Sequence, residues 1–162
     1  MIVVSDTSPI NYLVLIDCID LLPRLFTTIV IPQTVVDELN HAHTPEKVRQ
    51  WVSALPVWAS VQSAVSLDTS LRLGRGEREA IALAEQLHAD ALLMDDWKAW
   101  KLAEARGLVV TGTLNVLEAA SRRQFIDLTE AFARLQNTTF HVTPNLLRLI
   151  LDRQPHGLGN TS

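Results

Sequence analysis

Apolar positions along this chain fall into two patterns, short unbroken runs and stripes at helical spacing, and the two take turns. Ile2-Val3-Val4 is a β-branched run that predicts a buried strand, and it stops at the polar group Ser5-Asp6-Thr7-Ser8-Pro9. Ser8 is placed to cap a helix with Pro9 at its first position, leading into Ile10 to Leu15. Thr28 to Ile31 predicts a second strand ended by Pro32, after which Val35, Val36 and Leu39 recur at helical spacing. Residues 45–55 predict a further helix, and 57–61 a poorly alternating strand.

From Gly76 to Leu87 the residues Ala80, Ile81, Ala84 and Leu87 make one apolar stripe, and the strand 91–94 that follows closes on Asp95-Asp96. A helix over 97–105 ends at Gly107, a strand follows over 108–110, and Thr113 is placed to cap a helix through Ala120. Residues 128–135 and 144–151 predict two more helices. Unbroken apolar strands alternating with helices predict an α/β fold of three layers, α/β/α, with a central parallel sheet of four to five strands. The pattern fits one domain over 1–152, with 153–162, which holds a proline, two glycines and polar residues, as a flexible tail.

Composition narrows the options. With 162 residues and 48% hydrophobic side chains the chain can build one sizeable core, but two independent domains would be cramped. A net charge of −4 gives no global attraction for polyanions, so contact with nucleic acid must come from local patches or from bound metal. The single cysteine, Cys18, excludes an internal disulfide and a thiolate metal cage; among Ile16, Ile19 and Leu21 it reads as a small buried filler. The first residues lack a basic segment, and no apolar stretch approaches the ~20 residues that span a bilayer, so a cytoplasmic protein without a membrane partner is expected.

In a parallel α/β sheet the chemistry lies beyond the carboxyl ends of the strands, and acids stand there repeatedly. Asp6 follows the first strand, Asp95 and Asp96 follow the strand over 91–94, and Glu38 lies on the helix after the second strand. Glu77 and Glu79 open the helix after Gly74-Arg75-Gly76. At 100° per residue Glu77 shares the face of Ala80, Ile81 and Ala84, whereas Glu79 falls at the stripe's edge beside Gln86; Glu77 is therefore expected to point toward the sheet. Taken singly each acid has an ordinary explanation, as a turn residue, a first-turn acid or a solvated charge. Together they form an oxygen donor set of the kind that holds magnesium or manganese for phosphodiester hydrolysis.

With these residues in place the chain resembles the PIN-domain proteins, in particular a poorly characterised subgroup related to VapC-type toxins. The resemblance runs from about Ile2 to Leu151. It is carried by Val4-Ser5-Asp6-Thr7-Ser8-Pro9, Ile31-Pro32 with Val36-Asp37-Glu38-Leu39, the segment from Leu73 to Ala84, Leu92 to Asp96, and Val110-Thr111-Gly112-Thr113-Leu114, in that order and spacing. It implies a ribonuclease in which Asp6, Glu38, Glu77 and Asp96 hold Mg2+ or Mn2+ and activate water against an RNA phosphodiester. Glu79 stands as the alternate to Glu77, Asp95 as the alternate to Asp96, and Thr7 and Ser8 as supporting hydroxyls. It further implies an RNA substrate, a cognate antitoxin and a homodimer as partners. Two positions depart from the subgroup's pattern: Trp100 stands where a basic residue is usual, and Asn115 where glycine is usual.

The remaining polar and aromatic residues carry weaker signals. Arg72, Arg75 and Arg78, interleaved with Gly74 and Gly76, could hold phosphates beside the metals or could be a solvated loop. His41 and His43 read as ordinary surface, and Trp51, Trp58, Trp97 and Trp100 as packing residues. Aspartyl phosphatases and phosphoacceptor receivers also cluster aspartates at strand ends. A phosphatase needs a second aspartate two residues after Asp6, where Ser8 stands, and a receiver needs a lysine after a late strand, where Thr111-Gly112-Thr113 stands. The remaining alternative is a catalytically inactive PIN-like module that binds nucleic acid or protein.

Overall fold

The computed structural model describes residues 1–154. Five strands, β1 (Ile2–Ser5), β2 (Thr28–Pro32), β3 (Ala59–Gln62), β4 (Ala91–Leu93) and β5 (Val110–Thr111), form one sheet in the order β3-β2-β1-β4-β5. Every pairing is parallel; Val3 stands opposite Ile29 on one side and Ala91 on the other. The helices are α1 (Thr7–Leu15), α2 (Leu21–Leu25), α3 (Gln33–Leu39), α4 (Glu46–Ser53), α5 (Arg75–Gln86), α6 (Trp97–Ala105), α7 (Thr113–Arg122), α8 (Leu128–Gln136) and α9 (Pro144–Arg153).

Strand alternation divides the core. Val3, Ile29, Ile31 and Leu93 face one layer of helices, which buries Ile10, Leu13, Leu22, Val35, Leu117 and Phe132. Val4, Val30, Leu92 and Met94 face the other layer, built from Ala80, Ile81, Leu83 and Ala84 of α5 and Ala99 and Ala103 of α6. This is the three-layer α/β/α arrangement read from the unbroken apolar runs. The weak strand over 57–61 proves to be β3, an edge strand whose outer residues Ser60, Val61 and Gln62 are exposed, which is why its alternation is poor.

The differences are local. Helix α1 begins at Thr7, so Asp6 rather than Ser8 holds its N-cap position. Thr113 is the first residue of α7 rather than its cap, because its hydroxyl is engaged elsewhere. Helix α2 has no counterpart in the sequence reading; its five residues bury Leu21 and Leu22 and carry Pro23 in the first turn, where a missing N–H costs nothing. Helix α9 runs through Arg153, and of the expected tail residues 155–162 lie outside the described residues. Among the described residues no helix is long and apolar enough to cross a membrane.

The chain builds β1, β2 and β3 outward in one direction, then returns through α5 to place β4 and β5 on the other side of β1. The order reverses between β1 and β4, and the carboxyl ends of these two strands form the crevice where such sheets bind ligands. The backbone of Asp6 crosses that crevice, its N–H donating to the Leu93 carbonyl at 2.9 Å.

Candidate active site

Asp6 is held at the bottom of the crevice by the β1–α1 junction, and it is 5% exposed. Although it occupies the N-cap position of α1, its carboxylate makes no capping bond, so it remains directed at the crevice. Its carboxyl is pushed up to about 7, chiefly by burial, with the Thr7 backbone N–H pulling it down and the charges of Glu77, Glu38 and Asp95 adding to the rise.

Around Asp6 a cleft of about 560 Å³ is lined by Thr7, Ser8, Glu38, Glu77, Asp95 and Asp96, with Asn11, Tyr12, Gly74, Trp97, Phe140 and His141. Its lining holds five carboxylates and neither lysine nor arginine. Glu38 arrives from α3, where its carboxylate accepts from the Thr7 hydroxyl and, at 3.1 Å, from the Gly76 N–H. A side chain at position 76 would put its Cβ 2.7 Å from Glu38 Oε1, so glycine there is what lets α5 approach Glu38.

Glu77, in the first turn of α5, is half-buried; burial raises its carboxyl, the charges of Asp96 and Glu38 add to the rise, and Lys98 opposes it. Glu79 goes elsewhere. It is 6% exposed and accepts from the Thr34 N–H and hydroxyl at 3.0 and 3.1 Å and from the Ala64 N–H at 3.4 Å. Glu79 was expected at the edge of the apolar stripe, and that edge is itself buried, because α5 packs against α3 as well as against the sheet. Glu79 ties these elements together and does not line the acidic cleft.

The paired aspartates also separate. Asp95 accepts from Ser8 Oγ at 2.9 Å, from the Thr113 N–H at 2.7 Å and from Thr113 Oγ1 at 2.7 Å, so three of its roughly four lone-pair sites are taken. Gly112 makes this possible, because a Cβ there would lie 2.9 Å from Asp95 Oδ1 and 3.0 Å from the Trp100 ring. Asp96 caps α6 through the Ala99 N–H at 2.9 Å with one oxygen and keeps the other free of protein donors.

The three arginines do not form a common wall. Arg75 lines a hollow beside Glu38 and His41, Arg78 lines a separate cleft with Asp68 and Arg106, and Arg72 is exposed with its carbonyl accepting from Lys98 Nζ. His41 and His43 are exposed, as expected, and stack at 4.9 Å; they line a cleft that shares Asn11 and Glu38 with the acidic one. Trp51 and Trp58 pack against the core as expected. Trp97 does not: it is 64% exposed and lines the acidic cleft.

Sequence reasoning missed Asn11, Tyr12, Phe140 and His141. Asn11 and Tyr12 were within reach, since they lie one helical turn after Thr7 and Ser8 and therefore on the same face. Phe140 and His141 come from the connection between α8 and α9, and nothing local in the sequence ties them to Asp6.

The five carboxylates offer oxygen donors, which suit a hard divalent cation. Among the described residues no three Asp, Glu, His or Cys side chains are already arranged to hold an ion. Glu38, Asp95 and Asp96 are each engaged by neutral donors instead.

Among curated proteins none matches the chain. A PilT N-terminus domain protein from the hyperthermophilic archaeon Sulfolobus solfataricus P2 superposes with a TM-score of 0.49 at 16% identity, over 88% of this chain and 100% of that one. The family model for the PIN domain matches residues 2–155, and the chain therefore belongs to the PIN-domain family.

Proposed function

We propose that this protein is a metal-dependent endoribonuclease that acts as the toxin of a toxin–antitoxin pair, with Asp6, Glu38, Glu77 and Asp96 holding Mg2+ or Mn2+. The observation that carries this reading is the lining of the cleft, where five carboxylates meet no lysine or arginine and the most buried of them, Asp6, is pushed up to about 7. A cluster of like charges at the ligand-binding crevice of a parallel sheet is costly unless a cation offsets it. A divalent ion bound there supplies charge stabilisation for the phosphodiester and lowers the pKa of a water nucleophile.

The protein's own residues divide the remaining work. Asp6 and Glu77 are the carboxylates least occupied by protein donors, while Thr7 and the Gly76 N–H fix the orientation of Glu38. Ser8 and Thr113 hold Asp95 as a positioning residue, which leaves Asp96 as the fourth ligand. The antitoxin follows from the resemblance to VapC-type toxins, and its mode of restraint is to cover this cleft.

Cleavage of a mixed RNA pool with Mn2+ or Mg2+, with and without chelator, tests the reading. Wild type should cleave, and Asp6→Asn, Asp96→Asn and chelator should each abolish cleavage. A wild type that cuts nothing, or cleavage indifferent to both substitutions, leaves an inactive binding module as the better account.

A further inference from the structure

Two arginines and two acids line a cleft of about 460 Å³ between α5 and the segment 65–68, and they do not pair one to one. The segment is tied to α5 through the Ala64 N–H, which donates to Glu79 Oε2 at 3.4 Å, and the Val65 N–H, which donates to Gln86 Oε1 at 2.8 Å. Arg106, directly after α6, takes both acids. Its Nε and Nη2 donate to Glu85 at 2.7 and 3.2 Å, and its Nη1 donates to Asp68 at 3.0 Å. Arg78 takes neither: its Nε is buried and has no hydrogen-bond partner among the described residues.

A cleft with no role beyond packing would settle differently. Pairing each arginine with one acid would satisfy all four groups. Instead one arginine is engaged through three nitrogens and the other leaves a buried donor unmade, which costs stability unless an acceptor arrives from outside. By holding Asp68 and Glu85, Arg106 keeps Arg78 open. The acidic cleft offers Arg78 no partner either, since the two clefts share no lining residue.

We propose that this second cleft binds a carboxylate carried on a short apolar body, with Arg78 as the anchoring cation. A guanidinium presents parallel N–H donors that match a planar carboxylate, and the Arg78 Nε is a donor still without an acceptor. The apolar lining, Ile81 and Ala82 from α5 with Val65 and Leu67 from the segment, suits the body of such an acid. Charge decides against phosphate: Asp68 and Glu85 together carry one negative charge more than Arg106 cancels, so a monoanion is accepted beside them at less cost than a dianion. Val65 and Leu67 are exposed, so the segment gives up little packing in admitting a ligand. A free acid and the carboxyl end of a peptide present the same group. The proposal does not depend on what the acidic cleft does.

Proton–nitrogen correlation spectra of the arginine Nε–H groups, recorded on the full chain during titration with isovalerate, test it. The Arg78 resonance, identified by its absence in Arg78→Met, should move saturably in wild type. Isovaleramide, which keeps the body and lacks the charge, should bind about tenfold more weakly, and inorganic phosphate should also bind more weakly than the acid. Without ligand Arg78→Met should be at least as stable to heat as wild type, because it removes an unsatisfied donor. Isovalerate should raise the Tm of wild type and not of Arg78→Met, with Arg78→Lys between them. A short acetylated peptide ending in leucine separates the two sources: tighter binding than isovalerate assigns the site to a chain end, and weaker binding to a free acid. An Arg78 resonance that does not move, amide or phosphate bound as tightly as the acid, or equal stabilisation of wild type and Arg78→Met overturns the proposal.

Discussion

Replacing Asp6 by asparagine should stabilise the protein in the absence of metal, and the gain should depend on pH. The carboxyl of Asp6 is raised from 3.8 to about 7 in the folded chain, first by burial and then by its acidic neighbours. Below about pH 4 the group is protonated whether the chain is folded or not, and it imposes no penalty. Between about 4 and 7 the unfolded chain ionises Asp6 while the folded chain keeps the proton, so stability falls as pH rises. Above about 7 both are ionised and the full cost of a buried charge is present. A shift of this size corresponds to about 4 kcal/mol at 1.36 kcal/mol per unit. The asparagine side chain never ionises, but its amide needs partners in a cavity built for a carboxylate, so the net gain at pH 8 should be about 1 to 3 kcal/mol. For a chain of this size that is a rise in Tm of roughly 2 to 10 °C. Thermal unfolding of wild type and Asp6→Asn in chelator from pH 4 to 8 reads it: the two should converge at the acid end and separate toward pH 8. Added Mn2+ should then raise the wild type and not the variant. Parallel pH profiles, or an Asp6→Asn variant less stable than wild type at pH 8, would refute the account of Asp6.

Four further outcomes follow from the same geometry. Gly76→Ala drives a Cβ to 2.7 Å from Glu38 Oε1, so Glu38 must swing away; stability should change by no more than about 1 kcal/mol, because alanine favours the helix, while calorimetric Mn2+ affinity falls about tenfold. In a Glu38→Ala background the same glycine substitution should cost nothing further in Mn2+ affinity. Glu79→Ala leaves the Thr34 and Ala64 N–H groups without their acceptor and should lose about 2 to 4 kcal/mol in urea unfolding, with Mn2+ affinity of the folded protein unchanged. Asp96→Asn should keep its stability, since Asn caps a helix as well as Asp does, and lose RNA cleavage; Asp95→Asn should lose both, because the Thr113 N–H and hydroxyl and the Ser8 hydroxyl all converge on it.

What was legible in the sequence was whatever depends on a short stretch of chain. Val3 and Leu93 are buried on one face of the sheet and Val4 and Leu92 on the other, so the apolar runs that hold them are unbroken and the acids after them stand out. The stripe of α5 likewise showed that Glu77 and Glu79 part company. It did not show that the flank of α5 meets α3, and so it did not show that Glu79, at the stripe's edge, is the more deeply buried of the two. Thr113 was a sound cap on local grounds, but Asp95, eighteen residues earlier, offers its hydroxyl a charged acceptor and α7 starts one residue sooner. The exposure of Trp97 was equally out of reach: Trp97 and Trp100 have the same chemistry, and only the approach of Gly112 under one of them decides which is packed.

The treatment of the carboxylates bears on why an acidic crevice can persist in a stable fold. Lysines and arginines near the acids could have neutralised them, and elsewhere in the chain they do so: Arg106 pairs with Asp68 and Glu85, and Arg122 with Glu118. In the crevice the partners are hydroxyls and backbone N–H groups, from Thr7, Ser8, Gly76, Ala99 and Thr113. Neutral donors orient a carboxylate and lower part of its desolvation cost without cancelling its charge. The cluster therefore keeps its field, which adds to the rise that burial already gives the Asp6 carboxyl. A fold that paired each acid with an arginine would be easier to stabilise and would have nothing left with which to attract a divalent ion.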